Sequence, residues 1–266
     1  MPNSLRKIRK NMKNKLQEQM KMQCNSTDSV VENRKHLIEL FKSTPLPVEQ
    51  LMTNLHMYMR STVLAKVLYL NELYELIKKT TGSIFEFGCW YGANVVTFQN
   101  LRAVYEPYNY TRKVVGFDTF SGYCNISPDK DKGELIIDGN YSTGENYEVY
   151  LERLLQYHQH ENTMPNKKKY EIIKGDVTKT VKEYLSAHPE TIIALAYFDM
   201  QLYRPTKSAL EAILPYLTKG SVIAMDEINH EDFQGETVAF REVIGTKNCR
   251  LVRSKYLPDR NYFIVE

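Results

Sequence analysis

The chain has 266 residues, 42% apolar and 25% charged, with a formal net charge of +3. That balance excludes a disordered chain or a polyelectrolyte and fits one α/β domain with an N-terminal extension. The longest strongly apolar run, IIALAYF at 192–198, is too short to cross a bilayer, and the four cysteines show neither CxxC spacing nor a zinc-type cluster, so the reading is a cytoplasmic protein with reduced thiols.

Residues 1–21 hold seven lysines and arginines against Glu18 alone, and Leu5, Ile8, Met12, Leu16 and Met20 recur at helical spacing. This predicts a basic amphipathic arm whose apolar stripe packs on its own domain or on a second copy in a homo-oligomer; nucleic acid is not the expected partner, because a charge run is usually a solvated face. Residues 22–34 read as a polar linker, 33–43 as a short helix ended by TPLP, and 48–79 as a helical stretch. The expected division is an arm and linker over 1–44 and a catalytic domain over 45–266.

After Gly82 the rhythm changes. Strand-like runs at 83–89, 113–120, 170–177, 192–200 and 221–229 alternate with helical stretches near 93–106, 144–159, 178–187, 205–217 and 235–244. This is the signature of βαβ units around a parallel sheet. CRLVRS and NYFIVE, joined through a Pro-Asp turn, predict a closing antiparallel hairpin. The fold class is therefore α/β: a Rossmann-like, mostly parallel sheet of seven strands with a C-terminal antiparallel hairpin, preceded by N-terminal helices.

Ligands of open α/β sheets gather at the carboxyl ends of the strands. Here every parallel strand ends in acid: Glu86, Asp118, Asp176, Asp199, and Asp226 with Glu227. Buried carboxylates cost several kcal/mol unless paired or coordinated, so a purely structural edge has no use for such a row. Gly88 and Gly92 follow the first strand and let the backbone approach a ligand. Asp118 stands where an acid can accept hydrogen bonds from two ribose hydroxyls. These features suit a nicotinamide dinucleotide or S-adenosylmethionine. The G-x-x-x-G spacing differs from the G-x-G-x-x-G of pyrophosphate binding, and Glu86 is a poor neighbour for a pyrophosphate but a good one for a sulfonium cation. A nicotinamide-dependent oxidoreductase and a non-catalytic protein that keeps the fold are the competing readings.

FEFGCWYG, GFDTFSG, KGDVTKT, FDMQLYRPT, GSVIAMDEIN and FQGETVAFREV occur in that order. Together they resemble the class I S-adenosylmethionine-dependent methyltransferases, more narrowly the macrocin O-methyltransferase-like branch, over residues 45–266. The resemblance implies methyl transfer from S-adenosylmethionine to a hydroxyl of a sugar, or of a secondary-metabolite or surface-polysaccharide precursor. It implies that Glu86, Gly88 and Gly92 form the cofactor loop, that Asp118 holds the ribose, and that Asp176 lies near the adenine amine. Asp199, Asp226 and Glu227 correspond to a magnesium site, and an all-oxygen carboxylate set suits Mg²⁺. Such an ion would hold the acceptor hydroxyl and lower its pKa, with Asp199 at the centre of catalysis. His230, three residues past the acidic pair, is the candidate proton acceptor. The chain departs from the branch at Gln201, where D-x-D-x-Y usually has its second acid. Trp90 and Tyr91, two large aromatics within the cofactor loop, have no assigned role.

Overall fold

The computed structural model describes residues 26–266, so the basic helix expected over 1–21 lies outside the described residues. The chain divides into two compact units, Met1–Val63 and Leu64–Glu266. The described part of the first unit holds α1 (Asp28–Lys42), α2 (Val48–Thr53) and a 3₁₀ turn (Leu55–Tyr58). Helix α1 starts inside the expected linker, because Asp28 favours the first turn and a Lys35–Glu32 pair supports the second. The stretch read as helical over 48–79 is broken before α3 (Ser61–Ile77).

The larger unit is built on β1 (Ser83–Phe87), β2 (Val114–Asp118), β3 (Tyr170–Lys174), β4 (Ile193–Phe198), β5 (Leu217–Met225), β6 (Val252–Arg253) and β7 (Asn261–Ile264). Their order in the sheet is β3-β2-β1-β4-β5-β7-β6. The first five run parallel; β7 is antiparallel to both β5 and β6. The crossovers use α4 (Ala93–Tyr105), α5 (Tyr147–Glu161), α6 (Val177–Ala187) and α7 (Tyr203–Ile213), and α8 (Gln234–Val243) leads to the hairpin. The expected seven-strand architecture is present.

Strand periodicity of two sorts the core onto two faces. Ile84, Leu195, Tyr197, Val222 and Ala224 pack with Tyr69, Leu73 and Tyr74 of α3, Phe98 of α4 and Leu155 of α5. Phe85, Phe87, Ala196, Phe198, Ile223 and Met225 pack with Val181 of α6, Leu210 of α7 and Phe240 of α8. This alternation decides where the acids go. Glu86 falls between two residues of the second face and so occupies a core position on the first. Asp199 and Asp226 continue the first-face series 195, 197 and 222, 224. Glu227 continues the other.

Candidate active site

Backbone bonds that outlast the strands hold the acids in place. Asp199 N–H donates to the Phe87 carbonyl at 2.9 Å, Asp226 N–H to Phe198 at 3.0 Å, and Gly88 N–H to Phe117 at 2.9 Å. The strand ends therefore remain in register past their last paired residues. Gly88 has φ +90°, and a Cβ there would run into the Asp199 backbone carbonyl. Gly92 has φ +77°, and its missing side chain makes room for Leu151 of α5. Both glycines thus permit close internal packing as well as an open loop.

Glu86 is fully buried. Its Oε1 accepts from Asn94 Nδ2 at 3.1 Å, while Oε2 has no hydrogen-bond partner among the described residues. Burial, reinforced by Asp199, pushes its pKa well above the ordinary 4.5. An acid held protonated in that way is poised to ionise when a cation arrives beside it.

Asp118 accepts from Phe120 N–H at 2.6 Å and from Trp90 N–H at 2.8 Å, one bond on each oxygen. Those bonds, with a further contact from the Cys89 N–H, fix its orientation. Asp176 caps α6, accepting from Thr178 N–H at 3.0 Å on one oxygen and from Asn125 Nδ2 at 2.7 Å on the other. The structure thus gives Asp176 a capping duty that sequence reading had not assigned.

Asp199, Asp226 and Glu227 converge, each offering one oxygen within 4.8 Å of the others. Around them lie groups that sequence reading missed. Lys66 Nζ of α3 donates to Asp226 Oδ1 at 2.8 Å, lies 3.7 Å from Asp199 Oδ2, and contacts the Tyr197 hydroxyl. Arg260, from the turn before β7, places Nε 2.7 Å from Asp226 Oδ1 as an ion pair without hydrogen-bond alignment. The Tyr197 hydroxyl also donates to that oxygen. Burial raises the pKa of Asp226, but Lys66 and Arg260 outweigh it and hold the group below the usual carboxylate range. The partners of Asp226 fare differently. Burial and the Asp226 charge push Asp199 up to about 7 and Glu227 up to about 9.

Glu236 of α8 is also fully buried. Its Oε1 accepts from Met200 and Gln201 N–H, each at 2.8 Å, and its Oε2 from Glu227 N–H at 3.2 Å. One side chain therefore ties the loop after β4 to the loop after β5. The Gly235 position beside it has no room for a Cβ, which would collide with Asp131, Tyr203 and Gln201. Gln201, at φ +65°, directs Nε2 toward Glu227 Oε1 at 3.4 Å.

His230 comes to the site edge with Nε2 4.0 Å from Glu227 Oε2. Its Nδ1 accepts from Asp232 N–H at 3.2 Å. His230 thus stands at the edge of the acidic cluster, beside Glu227.

The segment between β2 and α5 forms one wall. Asp131 accepts from Tyr203 N–H at 2.7 Å and from Ser127 N–H at 2.6 Å, pinning the segment to the start of α7. The Tyr123 hydroxyl is buried and unpartnered among the described residues, with Asp199, Glu227 and Glu236 in electrostatic reach. Tyr123 meets Tyr141 at 5.1 Å, Tyr141 meets Trp90 at 5.8 Å, and Trp90 meets Tyr91 at 4.5 Å. Tyr91 in turn meets Tyr147 at 5.1 Å. The two aromatics of the glycine loop therefore belong to a strip that runs along this wall.

Searches with family models gave no match, and no curated protein matched. Solved structures did. A calicheamicin methyltransferase, CalS11, is 37% identical over 90% of this chain and 93% of its own, with a TM-score of 0.87. The apo form of CalS11, described as a TDP-rhamnose 3'-O-methyltransferase of calicheamicin biosynthesis, is 35% identical over 90% and 95%, with a TM-score of 0.80. The chain belongs to the class I S-adenosylmethionine-dependent O-methyltransferases, in the macrocin O-methyltransferase-like branch. The O-methyltransferase NovP, 14% identical with a TM-score of 0.55 over 73% of this chain and 78% of its own, shares the fold. Membership settles the choice between a nicotinamide-dependent oxidoreductase and a methyltransferase in favour of the latter. No helix among the described residues is long and apolar enough to cross a membrane.

Proposed function

We propose that this methyltransferase transfers the methyl group of S-adenosylmethionine to a hydroxyl of a sugar, with a nucleotide-activated deoxyhexose as the leading acceptor class. The observation that carries the reading is the 35% identity, over 90% of the chain, to an enzyme described as a TDP-rhamnose 3'-O-methyltransferase. A secondary-metabolite or surface-polysaccharide precursor bearing such a sugar belongs to the same class of acceptor.

The residues support a division of labour. Glu86, Gly88, Gly92 and Asp118 form the cofactor side, with the unpartnered Glu86 oxygen suited to the cationic end of the cofactor. Asp176 orients the loop that closes this side. Asp199 and Tyr123 face the acceptor side, and Glu236 sets the spacing of the two loops that carry Asp199 and Glu227. Methyl transfer is an in-line displacement whose rate comes largely from positioning, so rigid placement of these groups is what the chain contributes. His230, at the edge of the cluster beside Glu227, is the candidate acceptor of the hydroxyl proton.

The all-oxygen donor set fits a hard divalent cation, with Asp199, Asp226 and Glu227 as its holders. When bound, Mg²⁺ would supply Lewis-acid activation of the acceptor hydroxyl. A homo-oligomer is part of the proposal: no residue of α1 or α2 is buried, and Phe41, Val48, Met52 and Met57 are exposed. Light scattering on the purified chain tests that point, and a monomer at micromolar concentration refutes it.

Calorimetry with S-adenosylhomocysteine and a radiolabelled-methyl assay with TDP-rhamnose test the main reading. Saturable binding with label transfer to the sugar is expected. Label transfer to no nucleotide-activated deoxyhexose, from a protein that binds S-adenosylhomocysteine, would overturn the acceptor class.

A further inference from the structure

Lys66 has no place in the expected metal site, yet it sits between two of the site's three carboxylates. Its ammonium is 2.8 Å from Asp226 Oδ1 and 3.7 Å from Asp199 Oδ2. An ion bound by both aspartates at ordinary oxygen distances of about 2.0–2.6 Å needs the same space between them. The ammonium and the ion would have to occupy one position between the same two carboxylates, so only one of them fits there at a time.

The two neighbouring cations differ in how they are held. Arg260 is anchored a second time, by Nη1 to Asp259 Oδ2 at 2.7 Å, and its planar fork is rigid. Lys66 is a compact charge on a flexible four-carbon stem. Its side chain keeps 23% exposure, so a rotation about that stem reaches water. The second partner of Lys66 is the neutral Tyr197 hydroxyl, whereas that of Arg260 is a carboxylate, so Lys66 is the cation the cluster can release.

From this geometry we infer that the Lys66 ammonium and a divalent ion are alternative occupants of the Asp199–Asp226–Glu227 cluster. Lys66 is a resident counter-charge that keeps the carboxylates assembled, and ion entry displaces it. The inference rests on the metal reading of the previous section and adds to it a residue that sets ion affinity. Arg260 remains on Asp226 in both states, so Asp226 never carries an unpaired charge. Lys66 is thereby a positioning residue, acting on the site through Asp226 and Asp199.

Mn²⁺ titration followed by the electron paramagnetic resonance signal of the free ion tests this without any turnover. The Lys66→Met and Lys66→Gln proteins should bind Mn²⁺ at least tenfold more tightly than the wild type, about 1.4 kcal/mol. Asp199→Asn should bind it more weakly. Equal or weaker affinity in the folded Lys66 variants overturns the inference. A wild-type experiment removes dependence on the variants' folding: acetylation of Lys66, read by mass spectrometry, should rise when saturating Mn²⁺ is added. Unchanged labelling in the presence of bound Mn²⁺ also overturns it. If neither wild type nor variants bind Mn²⁺ while all bind S-adenosylhomocysteine, the metal reading falls and takes the inference with it, and the methyltransferase assignment stands.

Discussion

Among the described residues, a buried cluster of charge lies at each end of the sheet, and the two are built on different terms. At the amino edge, Arg112 reaches Glu106 through Nε, the Gly82 carbonyl at 2.8 Å, and the Thr80 and Ile77 carbonyls at 2.8 and 3.1 Å. Glu106 is further bonded by the Tyr74 hydroxyl and by Asn109 Nδ2 at 2.8 Å. At the carboxyl edge, a Glu86 oxygen and the Tyr123 hydroxyl have no partner among the described residues, and Asp199, Glu227, Glu236 and Glu86 all have raised pKa values. A polar cluster that closes on itself belongs to the fold. One that is left in charge imbalance is shaped for something that arrives later.

That contrast breaks if the clusters respond alike to mutation. Replacing Arg112 with Met strands Glu106 and several carbonyls, and should cost about 3–5 kcal/mol. At about 2–4 °C per kcal/mol for a unit of this size, the thermal midpoint should fall by roughly 6–20 °C. The affinity of the folded fraction for S-adenosylhomocysteine should not change. A midpoint within a few degrees of wild type would show that the amino-edge cluster does not hold the fold. Glu86→Gln should do the reverse. Stability should stay within about 1 kcal/mol of wild type or rise, because an unpaired buried acid is removed. Binding of S-adenosylmethionine should weaken by about 1.5–3 kcal/mol, the usual worth of a hydrogen bond to a charged group, and by more than that of neutral S-adenosylhomocysteine. Calorimetry with both ligands measures this, and equal losses would remove the cation-facing role of Glu86.

The same contrast explains what could be read from the chain alone. The strands, their acid ends and the glycine loop were legible, because period-two alternation and strand-terminal acids are local patterns. So was the neighbourhood of β4 and β5, which brings Asp199 beside Asp226. Lys66 and Arg260 were not legible. They stand 160 positions before Asp226 and 34 after it, on a helix and a turn whose sequences look like ordinary amphipathic and loop segments. Glu236 lay inside a quoted motif, but its role depends on three backbone N–H groups from two other loops. The helical break before Ser61 was missed because apolar residues continue through it. Trp90 and Tyr91 could not be placed because their partners, Tyr141 and Tyr147, lie far along the chain, in the loop before α5 and at its first residue.

The finest distinction between the clusters is in their pH dependence, where Glu106 and Glu86 shift in opposite directions. Burial raises the Glu106 pKa, but bonds from Arg112, Tyr74 and Asn109 outweigh it and leave it below 4.5. Its contribution is therefore present above pH 4.5 and lost as acid protonates it in the folded state. Glu86, raised well above 4.5 by burial, binds a proton in the folded protein that the unfolded chain has released. Its contribution is full below pH 4.5 and declines as pH rises toward its folded pKa. Thermal midpoints of the ligand-free wild type, Glu86→Gln and Glu106→Gln proteins, measured from pH 3 to 9, separate the two. The gap between wild type and Glu106→Gln should close toward pH 3. Relative to Glu86→Gln, the wild type should lose stability from pH 5 upward, and saturating S-adenosylmethionine should flatten that loss by supplying the missing positive charge. Parallel curves for wild type and Glu86→Gln would mean that the carboxyl edge is as self-contained as the amino edge.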